Sequence, residues 1–240
     1  MFKDYFYGKK AVLFDLDGTL VDSHPIWNDA CAEVFDNLGL SWTGWNFFSE
    51  SPLSKVWESY LDATGISPGF PVATLVDQTQ DRFLSRISAV EDGSALVRDG
   101  FTSLAAELKN DKQMKLGLVT NSNKITADKM VEVLGIRHYF DLFLYGDMVK
   151  NPKPDPEMYE LALKELGLKG REVLCFEDAP DGMKSALSVG IKVIGIRNSL
   201  FLDKDYPSKV DLIVPDFTAF PGNLDKTKKE VILEAINQYA

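Results

Sequence analysis

The sequence predicts an α/β fold in which helices cover both faces of a doubly wound, mostly parallel sheet. Short apolar runs rich in branched and aromatic residues recur along the chain, helical patterns separate most of them, and polar residues directly follow several runs. Strands that alternate with helices pair in parallel, and the resulting sheet is buried on both faces. Such sheets bind ligands outside the carboxyl ends of their strands. We therefore expect the polar residues to share one site.

The first predicted strand is the apolar run that ends near Phe14, and Asp15, Asp17 and Gly18 follow it. Alternate residues of an extended chain point the same way, so both carboxylates can face one site. Two carboxylates this close disfavour joint ionisation unless a cation lies between them or one takes a proton. The pair therefore fits a Mg²⁺ site, a general acid beside a nucleophile, or an ordinary Asp-Gly turn without a function.

Further strands are expected near 115–120, 142–145, 172–176, 191–196 and 211–214. The first of these ends at Thr120, and the run that begins at Val173 ends in the acids Glu177 and Asp178. Between them, Lys153 stands in a Lys-Pro loop just before a helical pattern. Thr120 and Asp178 thus fall at or just past strand ends, as Asp15 does, which predicts that all three meet at one edge of the sheet.

The interval between the first two strands is far longer than the dozen residues that a parallel crossover needs. Apolar residues recur in it at helical spacing, in three stripes that begin at Ile26, Leu53 and Val72. Each stripe is typical of the buried face of a helix. The stripes predict a small helical domain inserted at 23–92, with residues 1–22 and 93–240 forming the α/β core domain.

Composition narrows the class of function. The formal net charge of the 240 residues is −10, whereas nucleic acids and membrane surfaces attract basic proteins. We expect neither partner, and we expect an anionic substrate to be captured locally by a metal and a few cations. Cys31 and Cys175 lie in apolar patterns, which predicts buried free thiols. Without a disulfide framework, a long apolar run or a signal sequence, the chain is expected to be cytoplasmic.

The order of these elements resembles the haloacid dehalogenase superfamily of phosphotransferases. Strand-acid-acid, strand-Thr, Lys-Pro loop and strand-acid-acid occur in that order, from Val12 to about Ile196. The resemblance implies a Rossmann-like core and the inserted helical cap that many relatives carry just after the first motif. It also implies the subfamily of phosphoglycolate phosphatases and β-phosphoglucomutases.

The resemblance assigns roles to the motif residues. Asp15 would be the nucleophile that forms an aspartyl-phosphate, and Asp17 the acid/base that protonates the leaving oxygen and then deprotonates water. Thr120, with the backbone N–H of Asn121, would bind a phosphoryl oxygen. Lys153 would balance the charge of the nucleophile and the phosphate. Two alternatives for the cation are that Lys150 has this role or that Lys153 is a solvated loop lysine.

The same resemblance implies a Mg²⁺ site. Asp178 would be its second carboxylate, with Asp15 and the backbone carbonyl of Asp17 completing the protein ligands. Glu177 and Asp181 would each hold a metal-bound water or orient the lysine.

The helical segment contributes candidates for substrate discrimination. They are three cations that could meet a distal polar group and three aromatic residues that could form an apolar wall: Lys55, Arg82, Arg86, Trp42, Trp45 and Trp57. Exposed arginines are generally solvated, however, and aromatic residues at helical spacing are generally core. His24 lies just past the first motif, and Trp27 stands where relatives that act as sugar-phosphate mutases carry a histidine.

The predicted function is Mg²⁺-dependent hydrolysis of a phosphomonoester, with a small phosphorylated metabolite such as a sugar phosphate or phosphoglycolate as the substrate. Trp27 at that position, together with Gly18-Thr19, favours this over the alternative, a β-phosphoglucomutase-like phosphotransferase. A receiver-type signalling domain with a phosphorylated aspartate would lack the second acid and has no need of a cap. A non-catalytic binding module would tolerate the loss of motif acids, all of which this chain retains.

Overall fold

The computed structural model describes residues 2–43, 52–210, 212–222 and 224. Six parallel strands form one sheet in it: β1 (Ala11–Phe14), β2 (Lys115–Val119), β3 (Leu142–Leu144), β4 (Val173–Glu177), β5 (Lys192–Ile196) and β6 (Ile213–Val214). Their order across the sheet is β3-β2-β1-β4-β5-β6. The predicted strands and their parallel pairing are confirmed, and of the last predicted strand only residue 211 lies outside the described residues.

Strand β1 lies at the centre of the sheet, between β2 and β4. Leu13 is in register with Gly117 of β2 and Cys175 of β4. The chain therefore emerges from three adjacent strands at the same edge of the sheet, as parallel pairing requires. The residues just beyond these strands are the ones expected to form a site.

Helices cover both faces of the sheet. The α-helices of the described residues are α1 (Lys3–Phe6), α2 (His24–Asp36), α3 (Leu53–Thr64), α4 (Val72–Ser88), α5 (Phe101–Ala106), α6 (Lys124–Val133), α7 (Glu157–Leu166) and α8 (Pro180–Ser188). Alternate residues of β1 belong to different apolar clusters: Val12 and Phe14 to one, Ala11 and Leu13 to the other. Because successive side chains of a strand point to opposite faces, the two clusters lie on the two faces of a doubly wound sheet. Both predicted free thiols are buried.

Helices α2, α3 and α4 arise from the three apolar stripes. They pack on one another, and α4 also contacts α6 beside the sheet. Trp57 is fully buried, stacks on Phe35 at 5.3 Å between ring centroids, and donates its indole N–H to Thr79. Trp42 packs against the same two rings. These two tryptophans therefore form the core of the helical layer and do not wall the cavity described below; Trp45 lies outside the described residues.

The cations of the helical segment do not reach the cavity either, in line with the interpretation that such side chains are generally solvated. Arg82 and Arg86 both pair with Glu33 of α2, at 3.2 Å each, and Lys55 is exposed. None of the three lines the cavity. Within the described ranges, no helix combines the length and the apolar character needed to cross a membrane.

Candidate active site

A cavity of about 370 Å³ lies between the carboxyl ends of the central strands and the helical segment. Its size is in the range of small-molecule sites, which starts at roughly 300 Å³. All the residues to which the resemblance assigns a role in catalysis or metal binding line it: Asp15, Asp17, Thr120, Asn121, Lys153, Glu177, Asp178 and Asp181. The topology thus brings together residues that are up to 166 positions apart, from position 15 to position 181.

Lys153 is buried at the base of the cavity, with 4 % of its side chain exposed. Its ammonium donates to Asp15 Oδ1 at 2.7 Å, to Glu177 Oε2 at 2.9 Å and to the backbone carbonyl of Val119 at 2.8 Å. Burial alone would lower the pKa of Lys153, but the two carboxylates raise it above its ordinary value. Lys153 is therefore charged, and it is not a solvated loop residue. Lys150, the competing cation, is exposed and does not line the cavity.

The backbone of Lys153 is held by the side chain of Asn121. Asn121 Oδ1 accepts from the Lys153 N–H at 3.0 Å, and its amide group donates to the Lys153 carbonyl at 3.2 Å. Both polar ends of one amide thus fix the loop that presents the cation, which is a role that the sequence did not predict for Asn121.

Three buried carboxylates form the acidic part of the site. Oxygens of Asp15, Glu177 and Asp178 lie within 4.8 Å of one another. Burial, and then the charge of Glu177, raise the pKa of Asp15 well above its usual value and that of Asp178 to about 6. One lysine does not balance three carboxylates, and oxygen ligands of this kind are those that hard divalent cations prefer. The cluster could therefore hold a metal ion.

The three carboxylates are not equivalent. Glu177 Oε2 also accepts from the Tyr159 hydroxyl at 3.0 Å, so its position is fixed by Tyr159 and Lys153 together. Asp178 accepts from Thr19 Oγ1 at 2.9 Å and from the Asn198 amide at 2.5 Å. Glu177 is thus bonded to Lys153 and Tyr159, whereas Asp178 is bonded to Thr19 and Asn198.

Gly18 permits the close approach of the first motif to Asp178. Its φ is +85°, in the left-handed region that favours glycine. A Cβ at this position would lie 2.1 Å from Asp178 Oδ2. A side chain there would displace the carboxylate.

Asp17 faces the same cavity but has its own partners. Its Oδ1 accepts from Ser23 Oγ at 2.5 Å and from the indole N–H of Trp27 at 3.1 Å, and its Oδ2 accepts from Ser122 Oγ at 2.7 Å. Asp17 therefore binds side chains from both α2 and the loop after β2, and its carboxylate is not part of the three-carboxylate cluster.

Thr120 and the start of α6 complete the wall. Thr120 is buried, and its Oγ1 accepts from the Ser122 N–H at 3.0 Å. Asn123 caps α6, since its Oδ1 accepts from the Thr126 N–H at 2.9 Å. The first turn of α6 thus lies against the cavity, where helix amino termini favour anions.

The chain matches one protein family over most of its length. The model of the haloacid dehalogenase-like hydrolases matches residues 12–196. The chain belongs to that family.

Individual members resemble the chain over most of its length. A phosphatase of phosphorylated carbohydrates from Thermotoga maritima is 30 % identical over 198 residues, which cover 80 % of this chain and 87 % of that protein. A phosphoglycolate phosphatase from Neisseria gonorrhoeae is 28 % identical over 238 residues, which cover 92 % of this chain and 95 % of that protein. The crystal structure of CbbY from Rhodobacter sphaeroides shares the fold, with a TM-score of 0.78 at 24 % identity over 88 % of this chain and 95 % of that one.

Asp181 and His24 also line the cavity of this haloacid dehalogenase-like site, and each has an oppositely charged partner outside the motifs. Asp181 lines the cavity, but its carboxylate pairs with the exposed Lys184 at 2.9 Å and has no described bond to Lys153. His24 lines the cavity as well, 3.5 Å from the Asp22 carboxylate. Burial alone would lower the pKa of His24, but the carboxylates of Asp22 and Asp178 raise it.

Sequence reasoning missed the hydroxyl and amide groups that hold the motif carboxylates. They are Ser23 and Ser122 on Asp17, and Thr19 and Asn198 on Asp178. Ser122 and Thr19 stand two residues from a predicted site residue, which is a usable signal. Asn198 offers no such signal, because it lies after β5, far along the chain from Asp178.

Proposed function

We propose that the protein is a Mg²⁺-dependent phosphomonoester hydrolase that acts on a small phosphorylated metabolite through an aspartyl-phosphate at Asp15. The observation that supports this proposal most directly is the buried Lys153 ammonium, which lies 2.7 Å from Asp15 Oδ1. Asp15 in turn lies beside the Asp178 carboxylate. Membership of the haloacid dehalogenase-like hydrolases and the phosphatase names of the relatives support the proposal.

The metal ligands in this proposal are Asp15, Asp178 and the backbone carbonyl of Asp17. The donor set fits, because two carboxylates plus a carbonyl leave room for the waters and phosphate oxygens that Mg²⁺ retains. When bound, the ion would neutralise negative charge on the phosphoryl oxygens. Glu177 is better suited to hold Lys153, since Lys153 and Tyr159 already bind its Oε2.

Asp15 is oriented for attack on phosphorus. Lys153 binds Oδ1, and among the described residues no donor bonds to Oδ2, which leaves one oxygen free to form the bond to phosphorus. As that bond forms, the bond from phosphorus to the ester oxygen breaks, and Asp17 gives its proton to the departing oxygen. Water then attacks the aspartyl-phosphate, Asp17 takes the proton, and inorganic phosphate leaves with Asp15 restored.

Lys153 and Thr120 serve the transferring group. Lys153 supplies a fixed positive charge beside the nucleophile, which stabilises the anionic transition state in a buried setting. Thr120 lines the cavity, and its Oγ1 accepts from the Ser122 N–H in the turn that leads into α6. We assign it to a phosphoryl oxygen, together with the backbone N–H of Asn121.

We also propose the domain division predicted from the sequence: a core of residues 1–22 and 93–240 and a cap of residues 23–92. The packing of α2, α3 and α4 on one another supports a separate unit. Residues of α2, α3 and α4 line the cavity opposite the motif carboxylates, which supports a cap that covers the site. The cytoplasmic location and the absence of nucleic-acid and membrane partners stay predictions.

The test is phosphate release from a panel of phosphorylated metabolites and an aryl phosphate by chelator-treated enzyme, before and after addition of Mg²⁺. We expect activity only with the metal and none in Asp15→Asn, whereas the exposed Asp4→Asn should behave as wild type. When a bisphosphorylated sugar is added, release of inorganic phosphate should remain the main reaction and isomerisation of the sugar phosphate should not replace it. Isomerised sugar phosphate in place of free phosphate would instead support the mutase alternative.

A further inference from the structure

The cavity has two chemically different halves. One half holds the motif carboxylates and Lys153. The other is contributed by α3 and α4, and its lining side chains carry no charge: Leu53, Ser54, Val56, Val76 and Gln80. The phosphoryl group has its partners in the first half, so the remainder of a substrate must contact the second.

Charge is distributed unevenly over the whole lining. Apart from the motif acids, Asp147 also contributes a carboxylate, and its Oδ1 already accepts from the Lys124 N–H at 3.1 Å. Among the described residues that line the cavity, the only basic side chains are Lys153 and His24. Lys153 uses its donors on Asp15, Glu177 and a backbone carbonyl. His24 lies 3.5 Å from the Asp22 carboxylate, so it already has an acidic partner.

Basic side chains elsewhere in the helical segment do not supply a further positive charge to the cavity. Arg82 and Arg86 pair with Glu33 on another face of α2, and Lys55 does not line the cavity. Residues 44–51, outside the described part of the chain, include no lysine or arginine in their sequence. A second anionic group on a substrate would thus meet carboxylates without a cation to pair with.

We propose that the distal half of the cavity selects the uncharged, hydroxyl-bearing body of a monophosphorylated sugar or polyol and rejects a second anionic group, whether a carboxylate or a phosphate. The inference rests on the proposed function and narrows its substrate class. In the distal half, Ser54 and Gln80 offer hydrogen-bond partners for hydroxyl groups, and Val56 and Val76 offer apolar contact for the carbon skeleton. Rejection arises because an unpaired buried anion is costly and like charges repel.

The experiment compares substrates in matched pairs that differ by one anionic group. Hydroxyethyl phosphate is paired with phosphoglycolate, and a hexose monophosphate with the corresponding hexose bisphosphate. We expect kcat/KM of wild type to be at least about tenfold higher for the uncharged member of each pair, since like-charge juxtaposition is a strong source of discrimination. Equal or higher kcat/KM for the anionic member of both pairs overturns the inference.

A charge placed in the distal half provides the second measurement. Gln80→Arg should reduce the preference for the uncharged member by about tenfold, because it supplies a cation to the anionic one. Gln78→Arg is the matched control, since Gln78 is exposed on the same helix and does not line the cavity. It should leave the preference unchanged. An identical shift in both variants would assign the effect to net charge and overturn the inference.

The two proposals fail in different ways. If wild type hydrolyses no member of either pair and no aryl phosphate with Mg²⁺, the proposed function is wrong and the inference falls with it. If aryl phosphate and both members of each pair are hydrolysed without preference, only the inference is wrong. The wild-type ratios decide this even if Gln80→Arg does not fold.

Discussion

The indole N–H of Trp27 donates to Oδ1 of Asp17 at 3.1 Å. The same indole stacks on Phe83 of α4, with 3.8 Å between the ring centroids. The aspartate that we assign as acid/base is therefore tied to two helices of the proposed cap. This contact links the position of the cap to the geometry of the proton-transfer group.

Trp27→Phe should keep the stacking and remove only the hydrogen bond. We expect kcat to fall by about tenfold, because hydrogen bonds to charged groups contribute roughly 1.5–3 kcal/mol, with little change in the melting temperature. Steady-state kinetics and thermal unfolding measure the two effects. Trp57→Phe is the control: it removes the indole bond to Thr79 in the core of the helical layer. That variant should lose melting temperature and keep kcat; the reverse pattern would remove Trp27 from a positioning role.

Lys153→Met should abolish turnover and also destabilise the fold. The substitution leaves the buried carboxylates of Asp15 and Glu177 without their cation, and breaking a buried pair in this way costs about 3–5 kcal/mol. Adding Glu177→Gln should recover part of the free energy of unfolding, measured by denaturant titration, without restoring activity.

The control is Lys129→Met, which removes an exposed pair with Glu132. Surface pairs contribute about 0–1 kcal/mol, so this variant should unfold close to wild type. If Lys153→Met were as stable as Lys129→Met, the buried ion pairs would not hold the site together.

The stability of the metal-free protein should depend on pH through Asp178. Burial, followed by the charge of Glu177, raises the pKa of Asp178 from 3.8 to about 6. Because the folded-state pKa lies above the unfolded one, the stabilisation from this group is complete below pH 3.8 and is lost as the pH rises through about 6. The raised pKa of Asp15 acts in the same direction.

Melting temperatures in chelator should therefore fall over that pH range. Mg²⁺ should raise them more at pH 7 than at pH 5, since protons compete with the metal for the carboxylate. Asp178→Asn should lose part of the pH dependence and most of the response to Mg²⁺. Superimposable profiles for wild type and Asp178→Asn would exclude Asp178 from the metal ligands.

Much of the fold followed from the sequence because its signals are local. An apolar run that ends in Asp15 or Thr120 marks both a strand and its carboxyl end, and the doubly wound parallel sheet then brings such ends together. The end of β1 at Phe14 followed in the same way. The residues of the four motifs also all line one cavity.

The contacts between distant segments could not be predicted. The bond from Asn198 to Asp178 and the clamp of Asn121 on the Lys153 backbone depend on tertiary placement that spacing does not encode. The same limit applies to the helical segment. Periodicity predicted that Trp57 lies on a buried face, but whether that face lines the cavity or the core of the layer depends on how the helices pack.

The most direct test asks whether the phosphoryl group is transferred to Asp15. Asp17→Asn should accept it from an aryl phosphate, whose leaving group needs no proton, but should hydrolyse it slowly because the general base is gone. Acid quenching after mixing with Mg²⁺ and the aryl phosphate, followed by borohydride reduction and peptide mapping by mass spectrometry, locates the acyl phosphate. We predict homoserine at position 15, and none when Asn also replaces Asp15. Turnover by wild type with no modified Asp15 at any quench time in Asp17→Asn would contradict the covalent mechanism.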